Sequence, residues 1–328
     1  MPGAHERSAF SVIVPVHNGA GTLGTCLEAL AHQTVAPDRY EVIVVDDGSS
    51  DDPAEVAARY DVSMLRQQHA GAGAARNAGA REAEGSILLF TDADCQPQHN
   101  WIEEMVAPFR TPEIAGVKGV YGTHQRSCVA RFAQAEYEEK YRRQGRMEVI
   151  DFVDTYSAAY RRDVFWAYGG FDPAFLLDED QELSFRLAEA GHRLVFAPKA
   201  KVYHLHPDTV WRYFRRKLYL GKWKIAVHAR HPAKALRDSY TPWSQKAQLV
   251  LLPAVVGSTL VAATGGLSWT VPALLAGMGL AAILPLLREA RRQGLEVTLI
   301  APLLVLLRAV ALDLGLAWGL LSHLTRRR

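Results

Sequence analysis

The stretch EVIVVDDGSSDD, residues 41–52, is a run of β-branched residues that ends abruptly in a polar turn. Residues 11–16, SVIVPV, have the same character, and such short apolar runs are typical of strands buried on both faces of a parallel sheet. Between them, Leu23, Leu27 and Leu30 recur at helical spacing. Similar patterns predict strands at 62–66, 86–91 and 115–121 and helices at 53–60, 73–83 and 99–109. This alternation predicts an α/β fold with a mainly parallel sheet flanked by helices.

Polar residues follow three of the predicted strands. Asn18 comes after the first strand, Asp47 lies in the turn after the second, and Asp92 and Asp94 come after the fourth. Each of these residue types is also a usual turn former or helix cap, so each one alone is compatible with a structural role. Ligands of parallel sheets bind beyond the carboxyl ends of the strands, and the convergence of these residues on one edge therefore favours a binding site.

Asp92 and Asp94 are separated by one residue, directly after an apolar strand. Two carboxylates so placed can share a hard divalent cation, and Mg²⁺ or Mn²⁺ held by oxygen ligands commonly bridges a protein to substrate phosphates. A departing diphosphate needs such charge neutralisation. Asp47, at the end of the second strand, can accept a hydrogen bond from the N–H group of a nucleotide base.

Residues 69–77, HAGAGAARN, lead into a predicted helix with small side chains and one cation, which suits close packing over a nucleotide. The segment contains neither the G-x-G-x-x-G fingerprint of dinucleotide-binding folds nor the G-K-[ST] of a Walker loop. An oxidoreductase on a similar sheet is therefore disfavoured. A third acidic group, DEDQE at 178–182, is either a first helical turn favoured by the helix dipole or the source of a general base for an acceptor hydroxyl.

Six motifs together resemble the family-2 nucleotide-sugar glycosyltransferases, which have the GT-A fold. They extend from Ser11 to about His204 and read, in chain order, SVIVPVHN, VVDDGSSDD, GAGAARNAG, FTDADC, YGGFD and DEDQELSFRL. The resemblance implies that Asp47 holds the nucleotide base and that the nucleotide pocket is lined by Pro15, Asn18 and Arg76.

The same resemblance implies the roles of the acidic residues. Asp92 and Asp94 form the DxD-type motif, which would hold the metal and the donor diphosphate. In the Glu179-Asp180 pair, Asp180 would be the base, and direct displacement at the anomeric carbon would invert its configuration. Arg186 would support these acids. His204 is a further candidate ligand for metal or phosphate, although a lone histidine near a strand end is more often structural.

Between Lys246 and Arg288 the chain carries no Asp, Glu, Lys or Arg. A single helix of that length would extend about 60 Å, twice the hydrocarbon thickness, so we expect two membrane spans folded at residues 265–268, GGLS. A third apolar stretch, 297–322, is the weakest candidate because Arg308 and Asp313 interrupt it. Such residues are costly in lipid unless they pair, face other helices or lie at the interface.

Basic residues predict the orientation of these spans. The segment 212–237 and the arginines at 288, 291 and 292 should lie in the cytoplasm, which agrees with an outward-and-back hairpin. The terminal arginines 326–328 would lie outside if 297–322 crosses fully, and an interfacial or re-entrant helix removes this conflict. The N-terminus shows no signal peptide, and Cys26, Cys95 and Cys128 are expected to be ordinary thiols of a reducing compartment.

These patterns predict a catalytic GT-A domain over 1–210, a basic amphipathic linker helix at the membrane interface over 211–246, and a membrane segment of two or three helices over 247–328. We expect a protein of the cell inner membrane whose catalytic domain faces the cytoplasm. The formal net charge of +2 argues against a nucleic-acid partner.

The predicted function is an inverting, metal-dependent glycosyltransferase of hexosyltransferase type that adds one sugar, from a UDP-sugar by preference, to a lipid-linked or envelope glycan acceptor. The Q-x-x-R-W motif of processive synthases is absent, which favours a single addition over a polymerase. Ser157 stands where many members of the family have Asn, which leaves the acceptor contacts open. The alternatives are a polyprenyl-phosphate glycosyltransferase and a non-catalytic, nucleotide-sugar-binding membrane scaffold.

Overall fold

The computed structural model describes residues 8–326 and divides into two compact units. The first unit contains the residues up to His124 together with Gly145–Leu205. The second contains Gln125–Gln144 and the residues from His206 onwards. Residues 327 and 328 lie outside the described part of the chain, and so does the prediction of their side of the membrane. Residues 1–7, where no signal peptide was predicted, also lie outside it.

The first unit is built on a mixed, mostly parallel sheet of eight strands. In chain order the strands are β1 Phe10–Val16, β2 Tyr40–Asp46, β3 Ser63–Arg66, β4 Ile87–Phe90, β5 Cys95–Pro97, β6 Ile114–Gly122, β7 Ala158–Arg161 and β8 Arg193–His204. Across the sheet they are ordered β3-β2-β1-β4-β7-β6-β8-β5. Strands β2, β1 and β4 are parallel neighbours, which brings the three polar turns predicted above to one edge.

Twelve helices are described. They are α1 Ala20–Ala31, α2 Pro53–Ala57, α3 Ala72–Glu82, α4 Trp101–Val106, α5 Cys128–Gln144, α6 Arg162–Ala167, α7 Glu179–Glu189, α8 Val210–Arg230, α9 Trp243–Ala263, α10 Thr270–Ala282, α11 Leu284–Gln293 and α12 Leu295–Arg326. The predicted α/β alternation is confirmed, with α2 and α4 shorter than the sequence pattern indicated.

The small residues of α3 allow this helix to lie directly on the sheet. A Cβ atom at Gly79 would lie 2.7 Å from the Cγ2 atom of Ile13 in β1, a distance that real side chains do not adopt. A Cβ atom at Gly73, in the first turn of α3, would lie 3.3 Å from the Cγ atom of Glu179 in α7. The glycine–alanine composition of 71–80 therefore serves close helix packing, which fixes where the polar residues of α3 point.

The second unit consists of α5 and the helices from α8 onwards. Two of them, Trp243–Ala263 and Leu295–Thr325, are long and apolar enough to cross a membrane, and α10 with α11 would add a third span if the two are counted together. The predicted break between the first two apolar stretches is confirmed, since α9 ends at Ala263 and α10 begins at Thr270.

The second and third apolar stretches differ in how continuous their helices are. The second stretch is not one straight helix: α10 has 13 residues, fewer than the roughly 20 that a span requires, and α11 is bent from it by 42°. The third stretch, by contrast, is a single helix of 32 residues. Arg308 does not disqualify it, because its guanidinium is buried and bonded to Glu136 of α5 and Gln248 of α9.

Candidate active site

A cavity of about 710 Å³ opens at the carboxyl ends of β1, β2 and β4. Its lining includes every residue predicted to bind substrate or metal, namely Pro15, Asn18, Asp47, Arg76, Asp92, Asp94 and His204. The two predicted catalytic acids, Glu179 and Asp180, are not among its lining residues. The structure thus gathers the donor-side residues in one cavity and places the acidic pair on the neighbouring helix α7.

Asp47 holds the loop that follows β3. Its Oδ1 atom accepts hydrogen bonds from the Gln67 amide group at 2.7 Å and the Ala70 backbone N–H at 2.8 Å. Its Oδ2 atom accepts one from the Gly71 N–H at 2.8 Å and lies 2.9 Å from Nδ1 of His69. All four acceptor positions of this carboxylate therefore face donors of the loop after β3. A nucleotide base can bond to the Asp47 carboxylate only by displacing the side chain of Gln67 or His69.

Asn18 shapes the turn after β1. Its backbone has φ of 52°, in the left-handed region that asparagine tolerates better than most residues. The side-chain Oδ1 atom of Asn18 accepts hydrogen bonds from both the N–H and the hydroxyl group of Ser50. The backbone N–H of Asn18 donates to the Ser49 hydroxyl. Asn18 therefore ties the first polar turn to the second.

Asp92, Asp94 and Cys95 bring their potential ligand atoms within 4.8 Å of one another. His204 joins them because β5 pairs antiparallel with β8, with Cys95 opposite His204, and this places Nε2 of His204 3.3 Å from Oδ2 of Asp94. The ring of Tyr121 stacks on that imidazole, with the centroids 4.6 Å apart. Burial, together with the charges of Asp92 and Asp94, raises the pKa of the Cys95 thiol well above its usual range.

Arg76 links the DxD-type motif to α7. Its Nη2 atom donates to Oδ1 of Asp92 and its Nη1 atom to Oε1 of Glu179, both at 2.6 Å. The guanidinium is almost fully buried, and although burial favours the neutral form, the two carboxylates raise its pKa. Two carboxylates therefore share one guanidinium, and Asp94 beside Asp92 adds a further negative charge that a divalent cation can offset.

Asp180 lies in the first turn of α7, next to Glu179. Its Oδ2 atom accepts a hydrogen bond from the Thr155 N–H at 3.3 Å. Burial, together with the nearby charges of Glu179, Asp154 and Asp178, raises the pKa of this carboxyl well above its usual range. Such a shift makes the ionised form a stronger base, as a general base near neutral pH requires. Arg186, one of the helix's own residues, bonds to Glu182 and to the Gly170 carbonyl oxygen.

Sequence reasoning missed a pair of histidines at the opening of the cavity. His17 and His69 stack with their ring centroids 4.2 Å apart, and Nδ1 of each lies within hydrogen-bond distance of the Asp47 carbonyl oxygen. Their positions in the motifs SVIVPVHN and HAGAGAARN are visible in the sequence, but nothing there indicates that the two rings meet. Ser157, which was expected on the acceptor side, is fully buried and accepts a hydrogen bond from the Trp101 indole at 2.8 Å.

The GT-A sheet and the polar cavity at its edge define the class of protein as a glycosyltransferase that acts on nucleotide sugars. A family model described as Glycosyl transferase family 2 matches residues 11–169. Glycosyltransferase AglE from Haloferax volcanii is 31% identical over 227 residues, which make up 66% of this chain and 73% of that protein. The chain belongs to glycosyltransferase family 2.

Other relatives carry more specific names. The pre-mycofactocin glycosyltransferase of Mycobacterium tuberculosis is 30% identical over 245 residues, or 71% of this chain, which spans only 50% of that relative's length. The O-antigen chain rhamnosyltransferase WbaN of Salmonella anatum is 28% identical, over 68% of this chain and 73% of its own. The mannosyltransferase PcManGT from Pyrobaculum calidifontis, solved with GDP-Man and Mn²⁺, shares the fold, with a TM-score of 0.65 at 22% identity over 95% of this chain and 88% of that one.

Proposed function

We propose that this glycosyltransferase is metal-dependent and inverting, and that it moves one sugar from a nucleotide-diphosphate donor, UDP-sugar by preference, to a hydroxyl of a lipid-linked or envelope glycan acceptor. The observation that carries the proposal is the convergence of Asp92, Asp94 and His204 on one cavity that Asp47 and Arg76 also line. A diphosphate and a divalent cation are complementary to that set of charges.

The cation in this proposal is Mg²⁺ or Mn²⁺. Asp92 and Asp94 offer carboxylate oxygens and His204 an imidazole nitrogen, whereas the thiol of Cys95 suits softer metals. When bound, the metal would neutralise charge on the departing diphosphate. Arg76 holds Asp92 in place for that role through one oxygen, which leaves the other oxygen for the cation.

Asp180 is proposed as the base that accepts the proton of the acceptor hydroxyl. Its neighbour Glu179 is engaged by Arg76, whereas the elevated pKa of Asp180 suits proton transfer near neutral pH. A single displacement with this base inverts the anomeric carbon. An acceptor phosphate would need little help from a base, so substantial activity of Asp180→Asn would point instead to a polyprenyl-phosphate acceptor.

Membrane attachment is part of the proposal. We assign residues 1–210 to catalysis, 211–246 to a linker at the interface and 247–328 to the membrane segment, in the inner membrane with catalysis on the cytoplasmic side. The two long apolar helices support attachment, and relatives named for the synthesis of O-antigen chains support an envelope glycan or lipid-linked acceptor.

The test is donor binding by the detergent-solubilised protein, screened over UDP-, GDP- and dTDP-sugars with and without Mn²⁺. We expect one donor to bind with Mn²⁺ and Asp94→Ala to abolish that binding. Asp61→Ala, which removes an exposed carboxylate before β3, is the matched control and should bind as wild type does. Equal donor binding by Asp94→Ala, or by wild type without any metal, would refute the metal-dependent site.

A further inference from the structure

A second cavity, of about 260 Å³, lies between α8 and the end of α12. It belongs entirely to the second unit and shares no residue with the donor cavity. Its polar lining comes from two basic side chains and two hydroxyls, of which the Thr325 hydroxyl also donates to carbonyl oxygens of α12. The residues that matter for its chemistry are Lys222, Trp223, Gly319, Ser322, His323 and Thr325.

The charges of this cavity suit an anion. None of its eight lining residues is acidic, so Lys222 and His323 face the space without a carboxylate among the lining. The Lys222 ammonium lies 3.9 Å from the ring centroid of Trp318, a contact that orients the cation without neutralising it. An ammonium beside hydroxyl groups is the arrangement that binds phosphate oxygens through charge-assisted hydrogen bonds.

The depth of the cavity follows from the packing of α8 on α12. A Cβ atom at Gly221 would lie 2.6 Å from the Leu312 carbonyl oxygen, and one at Gly319 would lie 3.0 Å from Ile225, so the two helices run side by side in close contact. Helix α8 carries seven Lys and Arg residues and no acid. Because such a helix is excluded from hydrocarbon, the part of α12 that packs on it lies at the level of the lipid headgroups.

Exposed leucines flank the cavity on α12. Leu320, Leu321 and Leu324 are 50%, 64% and 54% exposed. In the sequence of α12 they lie between residues that line the cavity. A polar, cationic cavity beside an apolar strip is complementary to a phosphate group that carries acyl chains.

We propose that this cavity binds the phosphate group of a membrane phospholipid, with the acyl chains along the leucines of α12. The inference rests on the proposed membrane attachment and goes beyond it by naming a specific lipid site. It also places the C-terminal half of α12 at the membrane surface rather than across the bilayer. The last described turn of α12 then stays on the same side of the membrane as α8, whose basic residues favour the cytoplasmic side.

The test uses native mass spectrometry of the full-length protein in detergent. The probes are phosphatidic acid, diacylglycerol with the same acyl chains, and inorganic phosphate. We expect one tightly held phosphatidic acid, with diacylglycerol at least about tenfold weaker, since it lacks the charged hydrogen-bond partner. Retention of diacylglycerol equal to that of phosphatidic acid would overturn the phosphate site. Binding of inorganic phosphate as tight as that of phosphatidic acid would overturn the lipid occupant.

Two variants and a matched control locate the site. Lys222→Gln should weaken phosphatidic acid binding about tenfold and Ser322→Ala about threefold, by loss of a charged and a neutral hydrogen bond. Arg215→Gln makes the same change of charge on an exposed position of α8 outside the cavity and should change binding less than twofold. Equal losses in Lys222→Gln and Arg215→Gln would show diffuse attraction and refute the site.

Two controls separate this proposal from the proposed function. Flotation of wild type with phosphatidylcholine vesicles reports membrane attachment alone, and donor binding reports the transferase site alone. Thermal unfolding of each variant without lipid confirms that it is folded. A protein that floats and binds donor but shows no preference for phosphatidic acid refutes only the lipid site.

Discussion

Replacing Arg76 by Met removes the cation that bridges Asp92 and Glu179. Both hydrogen bonds of this guanidinium are 2.6 Å long, and the side chain is only 5% exposed. Removing one partner of a buried ion pair costs about 3–5 kcal/mol, because the remaining charge is left uncompensated. At roughly 2–4 °C per kcal/mol for a unit of this size, we expect the thermal midpoint to fall by about 6–20 °C.

The same substitution should increase the affinity for Mn²⁺. Loss of the guanidinium removes one positive charge from beside Asp92 and Glu179, which makes the site attract a divalent cation more strongly. Mn²⁺ at about 100 times its dissociation constant stabilises a folded protein by about 2.7 kcal/mol. Saturating Mn²⁺ should therefore restore a large part of the stability lost in Arg76→Met, and at lower concentrations than wild type needs, while sugar transfer stays impaired.

The assay is thermal unfolding of the full-length protein over a Mn²⁺ titration. Arg81→Met is the matched control, because it removes an exposed arginine from the same helix, where the side chain contacts the Trp166 ring. An Arg76→Met protein that melts as Arg81→Met does would refute the bridging role. If instead the variant is destabilised but its Mn²⁺ midpoint is unchanged or raised, the cation does not bind beside Arg76.

Two further predictions concern the base and the sheet. Asp178→Asn should lower the pKa of Asp180 by removing a neighbouring negative charge; because the base acts when ionised, the acid limb of the kcat/KM profile should move to lower pH. Asparagine tolerates the φ of 62° at position 178, so the backbone is not strained by the change. Asp61→Asn is the control. An acid limb that does not move in Asp178→Asn would exclude Asp180 as the titrating base. Gly79→Ala should destabilise the protein by about 1–3 kcal/mol, because the added Cβ atom would clash with β1. Gly21→Ala, where the added Cβ atom enters open space beside α1, should stabilise the protein by about 0.5–1 kcal/mol. Equal unfolding midpoints for the two variants would contradict the packing described.

The sequence predicts what is local and periodic. The β-branched runs locate β1 and β2, and the polar turns after them locate the edge at which the cavity forms. Contacts between distant segments carry no such signal. Arg76 reaches Glu179 across 103 positions, and His204 meets Asp94 only because β5 turns back to pair with β8.

The membrane segment shows a different limit of sequence reasoning. Hydropathy measures how apolar a helix is, but it does not distinguish a face that contacts lipid from a face that contacts protein. Arg308 lowers the hydropathy of 297–322, yet it points into the protein and is bonded there. The apolar second stretch, by contrast, is interrupted by a bend where α11 begins at Leu284 and Pro285, a signal that hydropathy does not register.

The bond between Arg308 and Glu136 also bears on how the chain is synthesised. The two residues are 172 positions apart, and Glu136 lies in α5, which the ribosome produces before β7 and β8 of the catalytic sheet. Lys217 and Arg308 lower the pKa of Glu136 to about 2 against the opposing effect of burial, so this carboxylate is charged in the folded protein. A chain truncated before residue 308 would therefore lack one of the two cations that pair with Glu136, and Lys217 alone would have to compensate the buried carboxylate.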